Sequence, residues 1–206
     1  MEFGEVIRRR RMVRSFTDEA VSTEALERIM RAAQRAPSAG FSQGVEFVVV
    51  TDQGTREALA GGEAGAERMR RMGMQPFAHQ APVQIAICVN PGIYQARYRE
   101  EDKGRLRRAV SDAELWQVPY WHTDAGCAMM LILLAAVDEG LAAGFMGPAA
   151  RQEEMKTILG IPADWTLVGL ALIGHEAPDA RAYGDVGVSV PKQRRSAADV
   201  VHRERW

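Results

Sequence analysis

Two clusters of basic residues stand near opposite ends of the chain and could bind an anion together. The N-terminal cluster comprises Arg8, Arg9, Arg10, Arg11 and Arg14, and the C-terminal cluster is the run 192–195, Lys-Gln-Arg-Arg. Guanidinium groups hold phosphate through charge-assisted, often bidentate hydrogen bonds. The clusters therefore predict the two sides of a phosphate site. A solvated charge run with affinity for nucleic acid is the alternative interpretation.

Charge and composition narrow the classes of partner and site that the chain can have. The 206 residues include 26 Lys and Arg against 27 Asp and Glu, so the net charge is −1, whereas a nucleic-acid-binding domain is usually basic throughout. We therefore expect no nucleic-acid partner. Cys88 and Cys127 both lie in apolar runs, which predicts buried thiols in a reducing compartment. The four histidines show no paired spacing, so no metal site is predicted.

Neither a leader nor a membrane span is expected from the sequence. The charged N-terminus is not followed by the apolar region of a signal peptide. The most apolar stretch, residues 125–137, has 13 residues between two aspartates, and a spanning helix needs about 20. These features predict a soluble, cytoplasmic protein of one domain, residues 1–206.

The helices and strands that must position the basic clusters are predicted from hydrophobic periodicity and from the residues that begin or end such elements. A short helix is predicted over 3–10. Ser22 has the position of an N-cap for an amphipathic helix that Pro37 ends. The β-branched run 45–50 predicts a buried strand, and the polar stretch 52–72 predicts helix.

The second half of the chain adds strands at 83–89 and 166–174, separated by helices. Residues 90–122 do not continue this alternation of helices and strands. A segment of this length is either a substrate lid or a solvated loop. Thr123 or Asp124 is expected to cap a helix that is apolar on every face and stops before Gly140, so it must be buried in the core or an interface. A further helix is predicted over 151–159. This order predicts an α+β (mixed α/β) fold, a small central sheet flanked by helices.

Four motifs in order resemble the FMN-dependent nitroreductase family over nearly the whole chain. They are Arg-Arg-Met-Val-Arg-Ser-Phe at 10–16, Ala-Pro-Ser-Ala-Gly-Phe-Ser-Gln at 36–43, the Asp-led apolar helix and glycine strand at 124–147, and the close with Arg194, Arg195 and Val-Val-His-Arg-Glu-Arg-Trp. Met12 and Phe41 depart from the Ser and Asn that many members have there.

The resemblance implies an enzyme that binds FMN and takes electrons from NAD(P)H. It implies an intertwined homodimer with FMN at each subunit interface and a tail, from about residue 176, that extends over the partner. A ping-pong hydride shuttle would reduce a small-molecule acceptor such as a nitroaromatic or a quinone.

Roles for individual residues follow from the same resemblance. Arg10, Arg194 and Arg195 would hold the FMN phosphate, with Arg11 and Met12 beside them. Arg14 would be the cation at the N1–C2 carbonyl edge of the flavin. The cofactor would be lined by Pro37, Ser38, Ala39 and Gln43, and approached near N5 by the backbone of Met146 and Gly147. Arg14, Met146 and Gly147 would thus be the catalytic group.

Plainer roles stay open for several of these residues. Ser38 is also suited to closing a turn, Gln43 to an ordinary surface position, and Gly147 to a loop. On the same fold, the chemistry could be that of a biosynthetic dehydrogenase, a deiodinase-like dehalogenase or a flavin-fragmenting enzyme. A flavin-storage or nucleic-acid-binding protein is the non-enzymatic alternative.

Overall fold

A four-stranded antiparallel sheet lies at the centre of the computed structural model, which describes residues 1–104, 110–178 and 194–206. The strands follow the order β1-β2-β4-β3, and they are β1 Val45–Val50, β2 Val83–Val89, β3 Ala142–Met146 and β4 Thr166–Gly174. The three strands predicted at 45–50, 83–89 and 166–174 are confirmed with these bounds. Because every strand pair is antiparallel, the fold belongs to the α+β class rather than to the parallel α/β class.

Helices cover both faces of this sheet. Within the described residues they are α1 Phe3–Arg9, α2 Thr23–Ala33, α3 Gln53–Ala60, α4 Gly62–Arg71, α5 Phe77–Gln80, α6 Pro91–Arg97, α7 Asp112–Leu115, α8 Tyr120–Asp138 and α9 Gln152–Leu159. Single 3-10 turns lie at Ala39–Phe41, Glu101–Lys103, Ala149–Arg151 and Ala197–Asp199. The predicted cap of α2 is confirmed, since the Ser22 side chain accepts a hydrogen bond from the Ala25 amide.

The core has two layers, one on each face of the sheet. Side chains alternate between the faces along β2: Ile85 and Ile87 pack with Ile29 of α2 and Ile132 of α8. On the other face, Ala86 and Cys88 pack with Leu59, Phe77 and Met155 of the opposite helices. Burial raises the pKa of the Cys88 thiol to about 11, which fits the inert core thiol expected from the sequence. Cys127, also expected to be buried, is only half-buried.

Two boundary predictions and one burial prediction were wrong, each for a local physical reason. The helix α2 ends at Ala33 rather than at Pro37, because the amides of residues 35 and 36 bond three residues back and tighten the last turn. The predicted helix over 52–72 is divided at Gly61, whose φ of 95° ends α3. In β1 only Val50 is buried, since this strand lies at the edge of the sheet.

The helix α8 begins at Tyr120, after Pro119, and not at the predicted caps Thr123 or Asp124. Asp124 therefore lies inside the helix, with 5% of its surface exposed. Residues 112–138 include the one helical stretch, among those described, long and apolar enough to cross a membrane by length and composition. The apolar stretch of 13 residues identified in the sequence, 125–137, is therefore only part of a longer apolar helix. Because α8 packs on α2 and on all four strands, it is the core helix of the domain.

Candidate functional site

The N-terminal segment that carries the arginines is fixed along the sheet edge formed by β3. The Val13 amide donates to the Ala143 carbonyl at 2.9 Å, and the Thr17 amide donates to the His175 carbonyl at 2.9 Å. Gly144 makes the approach possible, because a Cβ there would collide with the Val13 carbonyl oxygen. Gly144 therefore has a packing role, and residues 13–17 form a rigid base for the side chains around them.

The five arginines do not converge on one point. Arg11 is exposed and forms an ion pair with Glu176, and Arg9 pairs with Glu5 at 3.5 Å. A cavity of about 320 Å³ opens on this side, lined by Arg8, Arg9, Arg11, Glu176 and the backbone turn after α8. Arg10, Met12 and Arg14 are half-buried. Arg10 and Arg14 are thus less accessible than the exposed Arg11.

Arg14 is held as a cation against an aromatic ring. Its guanidinium carbon lies 5.6 Å from the centroid of the Phe77 ring, and its Nη1 atom is buried. A guanidinium over a ring face is attracted by the ring quadrupole and retains its charge. The structure therefore provides a fixed positive charge next to the segment on which Arg10 lies.

The second predicted motif forms a compact loop at residues 37–43, closed by its own hydrogen bonds. The Ser38 hydroxyl accepts from the Gln43 amide at 2.8 Å, and the Phe41 amide donates to the Ser38 carbonyl at 2.8 Å. Ser42 Oγ donates to the Ala39 carbonyl at 2.6 Å. The turn-closing role left open for Ser38 is therefore present, while the Gln43 side chain is exposed.

Sequence reasoning missed the side chains that hold this loop from outside. The carboxylate of Asp124 accepts from the Ala39 amide at 2.8 Å and from the Tyr94 hydroxyl at 2.8 Å. Arg97 Nε donates to the Gly40 carbonyl at 2.9 Å. The available signal was Asp124 itself, one of the two aspartates that flank the apolar run 125–137, which was interpreted as a helix cap.

The 90–122 segment packs on this loop instead of standing apart in solvent. Tyr98 lies over Gly40, where a Cβ would come within 2.6 Å of the Tyr98 ring. The rings of Tyr98, Trp116 and Trp121 contact one another in sequence, the first pair edge-to-face and the second tilted, with centroid distances of 5.2 and 5.5 Å. Part of this segment, residues 105–109, lies outside the described residues, and its predicted role as a substrate lid stays a prediction.

The remaining predicted site residues lie at the end of β3 and in the tail. Met146 is half-buried against the core, and a Cβ built at Gly147 would meet no atom within 4 Å. Residues 194–206 are all exposed, and the Arg195 guanidinium donates to the Asp199 carbonyl within the tail. Lys192 and Gln193 lie outside the described residues.

The helix α8 separates two of these groups. At its start Asp124 holds the 37–43 loop. At its end Asp138 forms an ion pair with the N-terminal ammonium, which precedes α1 and the arginines. Fourteen residues at 1.5 Å each separate the two aspartates by about 21 Å along the axis. The loop and the start of the basic cluster therefore stand at different ends of the core helix.

Comparison with known proteins places the chain in a family. The chain matches the model of the Nitroreductase family over residues 7–175. It is 30% identical over 202 residues to an Archaeoglobus fulgidus protein named as an NADH dehydrogenase/NAD(P)H nitroreductase, covering 96% of this chain and 94% of that protein. An FMN reductase (NAD(P)H) of Bacillus subtilis is 31% identical over 169 residues, 81% of this chain and 63% of that protein.

A solved structure agrees with the sequence relatives. NfrA2 of B. megaterium superposes with a TM-score of 0.73 at 25% identity, over 100% of this chain and 75% of that one. The resemblance inferred from the four motifs is thus confirmed, together with the fold it implied. The chain belongs to the nitroreductase family.

Proposed function

We propose that the protein is an FMN-dependent NAD(P)H oxidoreductase that reduces small-molecule acceptors, nitroaromatics or quinones among them, in two successive half-reactions. Family membership and the FMN reductase among its relatives support the cofactor and the electron donor. The structural observation that carries the proposal is the fixed cation, Arg14, on a rigid segment that also carries Arg10.

The residues present fit an FMN molecule. Arg10 offers a half-buried guanidinium for the phosphate, and the exposed Arg194 and Arg195 are available to complete that site. Because guanidinium groups hold phosphate by two parallel hydrogen bonds, these residues suit the phosphate end. Arg11 is less suited, since Glu176 already neutralises it in part. The backbone at Gly147 is open to approach, since no atom lies within 4 Å of a Cβ built there.

When bound, FMN accepts hydride from NAD(P)H and delivers electrons to the acceptor. Arg14 would favour the reduced state, because a fixed cation stabilises negative charge that develops beside it. The 37–43 loop would contribute Pro37, Ser38, Ala39 and Gln43 as a preformed wall. Met146 would supply backbone groups next to the space at Gly147. The protein would thus bind and orient the flavin and set the electrostatic environment around it, while the flavin supplies the redox chemistry.

A homodimer would bring the separated groups together, with FMN at each subunit interface. The outward face of α8 carries Met130 with 38% of its surface exposed, and Trp206 at the end of the tail is fully exposed. Both features leave apolar surface for a second copy to cover. The tail, from about residue 176, would extend over that partner, although residues 179–193 lie outside the described residues. We place the enzyme in the cytoplasm.

Purification with a bleaching test checks the proposed function. The protein should be yellow, and denaturation should release one FMN per chain. Under anaerobic conditions NADH or NADPH should bleach the flavin, and an added nitroaromatic or quinone should restore the colour. A colourless protein that binds nucleic acid would contradict the proposal. A flavoprotein that neither pyridine nucleotide bleaches would favour the dehydrogenase or dehalogenase alternatives.

A further inference from the structure

A buried carboxylate on the core helix is hydrogen-bonded to the 37–43 loop. Asp124 is 5% exposed, and one of its oxygens, Oδ2, accepts from both the Ala39 amide and the Tyr94 hydroxyl. A buried charge is retained only where hydrogen bonds compensate for lost hydration. Here neither donor belongs to α8: one is the backbone of the loop and the other is a side chain of α6.

Tyr94 extends this connection to a second point in the loop. Its ring is fully buried, and a Cβ at Gly44 would collide with it. Burial and the Asp124 carboxylate raise the pKa of Tyr94, while a hydrogen bond from Ser38 acts in the opposite direction. The hydroxyl therefore stays a neutral donor. The Tyr94 hydroxyl donates to Asp124, and the Ser38 hydroxyl, which influences Tyr94, accepts from the Gln43 amide and so closes the loop.

The loop held in this way has an unfavourable backbone. Phe41 and Gln43 adopt φ values of 57° and 55°, in the left-handed region that glycine favours. Phe41 also leaves 73% of its surface exposed, so its own burial does not stabilise this conformation. Strained residues of this kind persist only where their surroundings fix them, and they concentrate at functional sites.

We propose that Asp124 and Tyr94 are positioning residues that fix the 37–43 loop in the conformation that lines the flavin. The inference rests on the proposed function, because it assigns the loop to the cofactor. A loop ordered before binding loses less conformational freedom when the cofactor arrives, which increases affinity. Relaxation of the loop would also change the contacts along the ring and ribityl chain, while leaving the phosphate arginines in place.

A conservative pair of substitutions isolates the effect. Tyr94→Phe removes only the hydroxyl and keeps the ring against Gly44. Asp124→Asn keeps the shape but replaces the carboxylate by a neutral amide. Ser22→Ala is the matched control, since it removes one hydrogen bond from the cap of α2, outside the loop. Each protein is saturated with FMN, and its thermal midpoint is measured alongside its flavin properties.

We expect the Kd for FMN to rise about tenfold in Tyr94→Phe and Asp124→Asn, the size expected for loss of one hydrogen bond to a charged group. The Kd for riboflavin should rise equally, because the loop contacts the part that both flavins share. The visible circular dichroism of the saturated flavin should change in both variants and remain unchanged in Ser22→Ala. A Ser38→Ala, Tyr94→Phe double variant should be non-additive, since the two hydroxyls interact.

Contrary results separate this inference from the proposed function. Wild-type protein that binds no FMN would overturn both. Wild-type protein that binds FMN, together with a folded Tyr94→Phe variant whose Kd and flavin dichroism match those of wild type, would overturn the positioning role alone. Should Asp124→Asn fail to fold, Tyr94→Phe decides by the same measurements. Weaker binding of FMN with unchanged binding of riboflavin would also contradict the inference, because it would locate the effect at the phosphate.

Discussion

Arg14 lies over the ring of Phe77, with 5.6 Å between the guanidinium carbon and the ring centroid. The two residues are 63 positions apart in the chain, and the contact joins the N-terminal segment to α5. Phe77 is itself buried in the core layer that contains Ala86 and Cys88 of β2. The position of this cation is therefore determined by the packed interior and not by a flexible loop.

Substitution of this cation should alter the redox potential of the bound flavin. In Arg14→Ala we expect the midpoint potential to fall by about 30 mV or more, which corresponds to about 1.4 kcal/mol for two electrons, and reduction by NAD(P)H to slow. Arg11→Ala is the control, because Arg11 is exposed and paired with Glu176. Potentiometric titration of both FMN-saturated variants measures the effect. Equal potentials in wild type and Arg14→Ala would show that Arg14 has another role.

Arg10 and Arg195 should act on the phosphate end. We expect Arg10→Ala and Arg195→Ala each to weaken FMN binding by about 1.5–3 kcal/mol, the usual contribution of a hydrogen bond to a charged group. Riboflavin, which lacks the phosphate, should respond far less. Arg9→Ala, which removes an exposed guanidinium paired with Glu5, should leave both affinities unchanged. Fluorescence titration distinguishes the cases, and equal weakening of the two flavins would exclude these arginines as phosphate ligands.

The outward face of α8 should be the dimer interface. A charge placed there, Met130→Asp, would be buried without a partner in the dimer and should shift sedimentation toward the monomer. Met72→Asp is a matched control, since Met72 is 41% exposed and Met130 is 38% exposed. The control should sediment like wild type. A stable folded wild-type monomer at micromolar concentration would contradict the predicted homodimer.

The ion pair between Arg28 and Glu139 should make stability depend on pH. Two hydrogen bonds of 2.7 and 2.6 Å join them, and Arg28 holds the pKa of the Glu139 carboxyl below its ordinary value of 4.5. Such a contribution is present above the ordinary pKa and is lost as the pH falls through the lower folded-state value. Arg28→Met should thus destabilise the protein at pH 7, with the difference shrinking below pH 4.5. Urea unfolding measures this, and Arg31→Met, which removes a longer pair with Glu27, should show a smaller change.

Local patterns in the sequence were sufficient for much of the fold. The strands at 83–89 and 166–174 have the predicted bounds, since their apolar runs end at prolines, glycines and polar residues that cannot continue a buried strand. The Ser22 cap and the Gly140 end of α8, where φ is 77°, followed from residue preferences at helix ends. The family could be identified from the order of the four motifs, because that order is a property of the sequence and needs no knowledge of the tertiary structure.

Only the tertiary structure decided which side chains act together. The sequence places Asp124 beside Thr123 as a helix cap, whereas its partners, Ala39 and Tyr94, are 85 and 30 residues away. Likewise, the adjacent Arg10 and Arg11 differ in burial, and Arg11 pairs with Glu176 across 165 residues. Hydrogen bonds and ion pairs depend on distances of about 3 Å in space. Separation along the chain cannot provide those distances until the helices have packed on the sheet.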